Sequence, residues 1–418
     1  MTQSRSEYIV LVHPVSTGFE LISRAKERGY QIISVFCGNL DIPNLFNFDT
    51  LKSIIEENSD YCFFSGTIEE AVNNIKSVCS RPIAVIPCSE PGVKYASILS
   101  KAFGCFGNSI QTAEVTRNKL MLREVINKSG LTSIKYMGVV DEEEAMEYIR
   151  KQYYPVVVKS PEGTAQNQVF FASNELDFID SIRTIFTEPN ILGNHNSECL
   201  IEEYVQGEEY AVNLFGTGHG FVLTDIWQYE FFENRLYKKL YYNIWEKSAE
   251  KEELSNLIEY AVRVAQAVGM NYGPVHIEIM NHPERGPVLI DFNLRFMGTG
   301  SLGLTTLQKF GGFNLLDLTI DVFINGYVDT FENNINSNIV MTFHPIDQEG
   351  IIRIISGIDT IKTLPSYVSH ECRVGLNEYF SPQPYYYTFP FRTLLANKDK
   401  QILEHDAQLA HEEFTIYM

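Results

Sequence analysis

The chain has 418 residues, 44% hydrophobic and 21% charged, a composition ordinary for a globular protein and long enough for about two or three domains. Its 53 acidic residues outnumber 33 basic ones, for a formal net charge of −20, which speaks against a nucleic-acid partner held by a broad basic surface. The longest apolar runs, such as Tyr8 to Val12, fall far short of the roughly 20 residues of a spanning helix, so no membrane partner is expected.

The first residues read as a strand, Ile9 to Val12, and not as a cleavable signal. Seven cysteines are scattered without CxxC spacing, which predicts reduced thiols in a cytoplasmic protein. From residue 8 to about 113, short apolar strands alternate with helical segments. Tyr8 to Val12 leads to a helix over Phe19 to Arg28, stopped by Gly29, and then to strands at Gln31 to Phe36, Tyr61 to Phe64 and Ile83 to Ile86. That alternation implies a parallel sheet with crossover helices, a Rossmann-like α/β unit. The loop His13 to Gly18 lacks both GxGxxG and GxxxxGK[ST], so it reads as a plain strand-to-helix turn.

Thr112 to Gly130 reads as one helix with Val115, Leu122, Val125 and Ile126 on its apolar face. An α+β stretch follows: strands at Lys135 to Val140 and Val156 to Lys159, a helix from Asp141 whose Glu144 completes a capping box, a helix over Glu175 to Phe186, and a strand over Cys199 to Tyr204. A further helix covers Glu252 to Val268. After about residue 335 come strands near Ile339 to Phe343 and Gly375 to Tyr379, and an aromatic cluster at Tyr385 to Tyr387.

The most informative stretch lies between. Gly273 to Ile279 and Val288 to Arg295 are two β-patterned runs joined by the polar loop Asn281 to Gly286. Alternate residues of a strand share a face. His276 and Glu278 therefore point one way on the first run, and Asp291, Asn293 and Arg295 share a face of the second. Two carboxylates and an amide make an oxygen-rich site suited to Mg²⁺ carrying a nucleotide's phosphates. The same residues also read as a cross-strand salt bridge. His276 has no His/Cys cluster around it, which speaks against zinc and for contact with substrate or phosphate.

Lys119, then Pro155 to Lys159, then Leu200 to Glu209 (LIEEYVQGEE), then the two acidic strands, stand in the order that resembles the ATP-grasp superfamily of carboxylate-amine ligases, over residues 8 to 418. The resemblance implies an ATP-grasp fold with a Rossmann-like N-terminal domain (1–113), a core (114–335) holding a small lid subdomain (about 134–204), and a C-terminal subdomain (336–418). It further implies ATP and Mg²⁺, with two ions bridged by Glu278 and Asp291, Asn293 as a third ligand, and Mn²⁺ as a substitute. Lys119 and Lys159 would neutralise phosphates. Ser160 to Val169 would be the phosphate-covering loop, with Gly163 its one glycine. Glu202, Glu203, Tyr204 and Val205 would form the adenine hinge, through the Glu203 carbonyl and the Val205 N–H, and Glu209 would accept from the ribose. Arg295 would meet charge building on an acyl phosphate, and Lys238 or Lys239 could add a phosphate contact. Asp291 stands where most of the family carries Glu.

His276-x-Glu278 with Asp291-x-x-x-Arg295-Phe296-x-Gly298 looks most like the bacterial L-amino-acid ligases that make dipeptides, as in bacilysin and rhizocticin pathways. The expectation is therefore ligation of two amino acids, with release of ADP and phosphate, by a chain for which a homodimer is compatible. The alternatives are a ligase or carboxylase acting on another small carboxylate, and a nucleotide-binding regulatory protein without catalysis. Retention of both acids, both lysines and Arg295 argues against the last.

Overall fold

The structure is a computed structural model that describes residues 7–38, 48–163, 167–190, 193–232, 240–298, 301–329, 333–382 and 389–418. Strands β1 (Tyr8–Val12), β2 (Gln31–Cys37), β3 (Tyr61–Ser65) and β4 (Ala84–Pro87) alternate with helices α1 (Thr17–Glu27), α2 (Phe48–Asn58) and α3 (Ile68–Val78), and α4 (Val93–Phe103) follows. They form a parallel sheet in the order β3-β2-β1-β4. The continuous apolar run of β1 is explained by burial on both faces. Ile9 and Leu11 pack with Leu21 and Ile22 of α1, whereas Val10 and Val12 pack with Ala71 and Ile75 of α3 and Leu99 of α4. A short 3₁₀ turn, Glu90–Gly92, stands just beyond the C-terminal end of β4.

The single helix expected over Thr112 to Gly130 is two: α5 (Ile110–Arg117) and α6 (Lys119–Lys128). Asn118 leaves helical geometry (φ −120°, ψ 111°) and its side chain accepts from the Met121 N–H, capping the second helix. The apolar spacing on either side is unaffected, which is why it concealed the break.

A separate antiparallel sheet, in the order β5-β8-β6-β7, is built from β5 (Tyr136–Val139), β6 (Val156–Lys159), β7 (Val169–Ala172) and β8 (Cys199–Glu203). Helices α7 (Glu142–Ile149) and α8 (Glu175–Thr187) cover it, and Val139, Val156, Val158, Phe178, Ile182 and Ile201 give it a core of its own. Asp141 caps α7 by accepting from Glu144 N–H, and Glu144 reaches back to the Val140 N–H at 3.0 Å.

The largest sheet has eight antiparallel strands. Five were not anticipated: β9 (Glu208–Thr217), β10 (Phe221–Phe232), β11 (Leu240–Glu246) and, in the C-terminal part, the strands Tyr367–Cys372 and Phe391–Asn397. Helix α9 (Ser255–Ala267) precedes β12 (Tyr272–His282) and β13 (Gly286–Asn293); α10 (Ser301–Lys309) and α11 (Leu315–Asn325) lead to β14 (Asn338–Phe343). The C-terminal part holds β15 (Gly350–Ile351), β16 (Ile354–Ser356), α12 (Ile358–Lys362), β17 (Tyr367–Cys372), β18 (Tyr379–Phe380), β19 (Phe391–Asn397), α13 (Lys400–Glu413) and β20 (Thr415–Tyr417). The order is β13-β12-β9-β10-β11-β14-β19-β17, so strands after residue 335 continue the same sheet. The strand expected at Gly375 to Tyr379 is a turn: Gly375 N–H is held by the Glu378 carboxylate at 2.7 Å, and pairing begins only at Tyr379. Tyr385 to Tyr387 lie outside the described residues.

Alternation divides the two faces of this sheet. Tyr210, Val212 and Leu214 of β9 and Val275, Ile277 and Ile279 of β12 face a core with Leu122 and Ile126 of α6 and Leu257, Ala261 and Val264 of α9. The intervening positions, Glu209, Asn213, His276 and Glu278, lie on the opposite face, and cross-strand pairing adds Asp291 and Asn293.

Under α13, His344 and His411 lie with ring centroids 4.8 Å apart, His411 stacked on Tyr242 and 2.9 Å from the Asn243 amide oxygen. Burial lowers both side chains, His411 to about 4. A histidine depressed in the folded state takes up its proton more readily when unfolded, so its contribution is intact above the unfolded value near 6.5 and is lost as pH falls toward 4. Denaturant midpoints should drop across that window. In His411→Gln the slope of stability against pH there should shrink by up to about 1.4 kcal/mol per pH unit, one proton's worth. An unchanged slope would show that His411 titrates normally.

Candidate active site

The antiparallel register of β12 and β13 sets Glu278 opposite Asp291 and His276 opposite Asn293, as the alternation predicts. A bulge after Glu278 shifts the register of the remaining pairs. Both carboxylates are partly accessible, with side chains 19% and 23% exposed, while His276 and Asn293 are buried. His276 Nε2 lies 3.2 Å from Glu278 Oε1.

Arg295 is not a third residue on that strand face. Strand β13 ends at Asn293, the Arg295 N–H turns back to the Asn293 carbonyl, and the guanidinium lies 3.6 Å from Glu90 Oε2. Glu90 in turn pairs with Arg117. Burial alone would raise the Glu90 carboxyl, but Arg117, Arg295 and Lys119 outweigh it and hold the group below the usual carboxylate range.

Lys119 opens α6, where the helix dipole disfavours a cation. It is held there by tertiary contacts. Its backbone N–H donates to the Pro161 carbonyl at 2.9 Å, and its ammonium lies 3.1 Å from the Gly163 carbonyl and 3.7 Å from Asp291 Oδ2. Burial would raise Asp291, yet Lys119, Lys159 and Arg123 prevail and hold it at about 2, an anion at any physiological pH.

Lys159, at the end of β6, is buried and pairs with Glu202 at 2.8 Å; Arg123 binds the other oxygen of Glu202 at 2.6 Å and the Ile290 carbonyl at 2.6 Å. The Glu202 side chain is 1% exposed and held at about 2 because the two cations outweigh its burial, so its carboxylate anchors Lys159 and Arg123. Beyond it, Glu203 accepts from Lys135 N–H at 3.0 Å and from Arg285 at 2.6 Å. Tyr204 is partly exposed against Phe171, and Val205 is buried with Ile134, Met280 and Val288 against Ile290. Glu209 is buried at the start of β9, paired in register with Met280 and Tyr229.

The loop after β6 is described at both ends, with Thr164 to Gln166 outside the described residues. Its base is closed by Ser160 N–H to the Gln168 carbonyl at 3.1 Å and by Asn196, which meets Ser160 Oγ at 2.6 Å and Gln168 Oε1 at 2.8 Å. A side chain at Gly163 would bring its Cβ within 2.9 Å of the Asn167 carbonyl, so the close backbone approach requires glycine. Lys238 and Lys239 also lie outside the described residues.

Sequence reasoning missed Glu90, Arg117, Arg123, Asn213 and Asp225. A signal existed for Glu90: Ser89-Glu90-Pro91-Gly92 follows a predicted strand of a parallel sheet, at the carboxyl end where such sheets bind ligands. Arg117 and Arg123 are single cations on helices, and Asn213 and Asp225 fall on the strands not anticipated.

Chemically, the site sets two carboxylates and an amide, hard oxygen donors with positions to spare, beside a lysine and near an arginine. Among the described residues no group of three His, Cys, Asp or Glu forms a closed metal centre. A hard cation completing its shell with ligand oxygens and water fits this donor set.

The ATP-grasp domain family matches residues 152–302. Dapdiamide A synthase of Enterobacter agglomerans is 25% identical over 303 residues, 71% of this chain and 68% of that protein. Phosphoribosylamine–glycine ligase of Fusobacterium nucleatum is 27% identical over 107 residues, 26% of this chain and only 25% of that ligase. Among solved structures, L-amino acid ligase from Bacillus licheniformis superposes with a TM-score of 0.77 at 15% identity, covering 99% of both chains. The chain carries an ATP-grasp domain over residues 152–302 and adopts the ATP-grasp fold.

Proposed function

We propose that this chain is an ATP-dependent carboxylate-amine ligase that joins two L-amino acids into a dipeptide. The observation that carries the reading is the Glu278–Asp291 pair with Lys119 3.7 Å from Asp291. The relatedness to dapdiamide A synthase and the shared fold with an L-amino acid ligase support it. In this reading residues 114–335 are the catalytic core, and the sheet of β5 to β8 is its lid.

Glu278, Asp291 and Asn293 would hold one or two Mg²⁺ ions, which supply charge neutralisation for the phosphates. Lys119 and Lys159 bind phosphate oxygens. The Glu203 carbonyl and Val205 N–H read the adenine edge, over the apolar bed of Ile134, Met280, Val288 and Ile290, and Glu209 accepts from the ribose. The substrate carboxylate attacks the γ-phosphorus, the bond to the bridging oxygen breaks, and ADP leaves. The second amino acid's amine then attacks the acyl carbon, loses a proton and expels phosphate. Arg295 stabilises the negative charge on the carboxyl oxygens through both steps.

Incubating the full chain with ATP, Mg²⁺ and a panel of single amino acids, amino-acid pairs and bicarbonate should give ADP and phosphate only when a productive pair is present. AMP with pyrophosphate would overturn the reading, and turnover with bicarbonate and no amino acid would favour a carboxylase.

A further inference from the structure

The end of β8 is tied both to its own sheet and to the core. Within the sheet of β5 to β8, the Glu203 N–H donates to the Lys135 carbonyl at 2.9 Å, and the Lys135 N–H returns to Glu203 Oε1 at 3.0 Å. The same oxygen accepts from Arg285 Nη1 at 2.6 Å, across 82 positions of sequence. Arg285 stands in the tight connection between β12 and β13. There the His282 ring accepts the backbone N–H groups of Glu284 and Arg285 at 3.1 and 3.2 Å, and His282 pairs with Gly286. The guanidinium is thus presented from a turn that its own hydrogen bonds hold in shape.

Two further contacts bring the next residues onto the same hairpin. Val205 is buried with Met280 and Val288. At Gly207, with φ +152°, any side chain would collide with the Asn281 carbonyl, so the backbones approach closely. Residues 203 to 207 therefore lie against the hairpin, with Arg285 as their charged fastening.

The Arg285 and Glu203 side chains are 31% and 25% exposed, so their pairing adds little to the stability of the fold. The arrangement also carries a cost, because Arg285 Nε is buried with no hydrogen-bond partner among the described residues. What the pair does fix is the place of residue 203 relative to the core. A ligand's affinity falls with the fraction of molecules that are not already in the arrangement that binds it.

We propose that Arg285 is a positioning residue for the nucleotide base: through the Glu203 side chain it holds the backbone of residues 203 to 205 against the β12–β13 hairpin before the nucleotide arrives, and so raises affinity for the base without touching it. This rests on the reading of the Glu203 carbonyl and Val205 N–H as the pair that meets adenine. Lys119 and Lys159 are held by other partners, Asp291 and Glu202, so phosphate binding should be independent of Arg285.

The test titrates the full chain calorimetrically with MgADP and, separately, with magnesium tripolyphosphate, which offers phosphates without a base. Arg285→Met should weaken MgADP binding by about 5-fold, the upper end for a partly exposed ion pair, and leave tripolyphosphate binding unchanged. Its urea midpoint should stay near the wild-type value, because the partnerless Nε–H is removed together with the ion pair. Arg285→Lys should recover part of the affinity, and Arg285→Met made in a Glu203→Ala background should add no further loss. Glu203→Ala alone breaks the same link from the other side, and should itself weaken MgADP binding, which keeps the test open if Arg285→Met does not fold. A folded Arg285→Met with unchanged MgADP affinity, or with an equal loss for tripolyphosphate, would overturn the proposal. Hydrogen exchange separates it from the reading beneath it: in the wild type, MgADP and not tripolyphosphate should protect the Val205 amide. Absence of that protection would remove the adenine reading itself, whatever Arg285→Met shows.

Discussion

Glu202→Gln should destabilise the protein by about 3–5 kcal/mol, the scale of removing one partner from a buried ion pair. Glu202 is 1% exposed and neutralises two cations, Arg123 at 2.6 Å and Lys159 at 2.8 Å, and their pull holds its carboxyl at about 2 against the cost of burial. A neutral amide keeps the shape but leaves both cations uncompensated. The sign with pH follows from the same depression: the carboxylate's contribution is complete above the unfolded value near 4.5 and is lost as pH falls toward 2. Urea denaturation at neutral pH is the check, read as a lower midpoint at unchanged m-value. A loss below about 1 kcal/mol would mean that the two cations find other partners.

Glu278→Gln and Arg295→Met should fail in different ways. Removing the anionic oxygen of Glu278 should raise the Mg²⁺ concentration needed for half-maximal nucleotide binding, since a hard cation loses a ligand. Arg295→Met deletes a guanidinium that lies 3.6 Å from Glu90 and off the strand that carries Asp291, so nucleotide affinity should hold. Turnover should fall about 100-fold or more, the scale of losing one donor aimed at transition-state charge. Glu90 keeps Arg117 as a partner in that variant, which limits collateral damage to the fold. Equal loss of nucleotide binding in both variants, or near-normal turnover for Arg295→Met, would overturn this division of roles.

What was legible in the sequence was whatever a period of two or 3.6 residues carries on its own. The run Tyr8 to Val12, the strand ending in Lys159, and the opposition of Glu278 to Asp291 all follow from alternation and a short connecting loop. The position of Arg295 did not follow, because alternation says nothing about where a strand ends, and β13 stops two residues before it. The break at Asn118 was hidden because a capping residue inside an unbroken apolar pattern looks like any polar helix position. Arg123, 1% exposed between Leu122 and Glu124, is set by a carboxylate 79 residues away, a separation no local pattern encodes.

The continuation of the large sheet past residue 335 bears on how the chain can be divided. Asn243, Ile244 and Trp245 of β11 take their outer hydrogen bonds from β14, and β14 takes its own from β19. A fragment ending near residue 335 would present a bare row of backbone donors and acceptors along β11, the kind of edge that recruits foreign strands and aggregates. The last fifth of the chain thus works as a selvage on the large sheet, and the acidic strands cannot be studied apart from it.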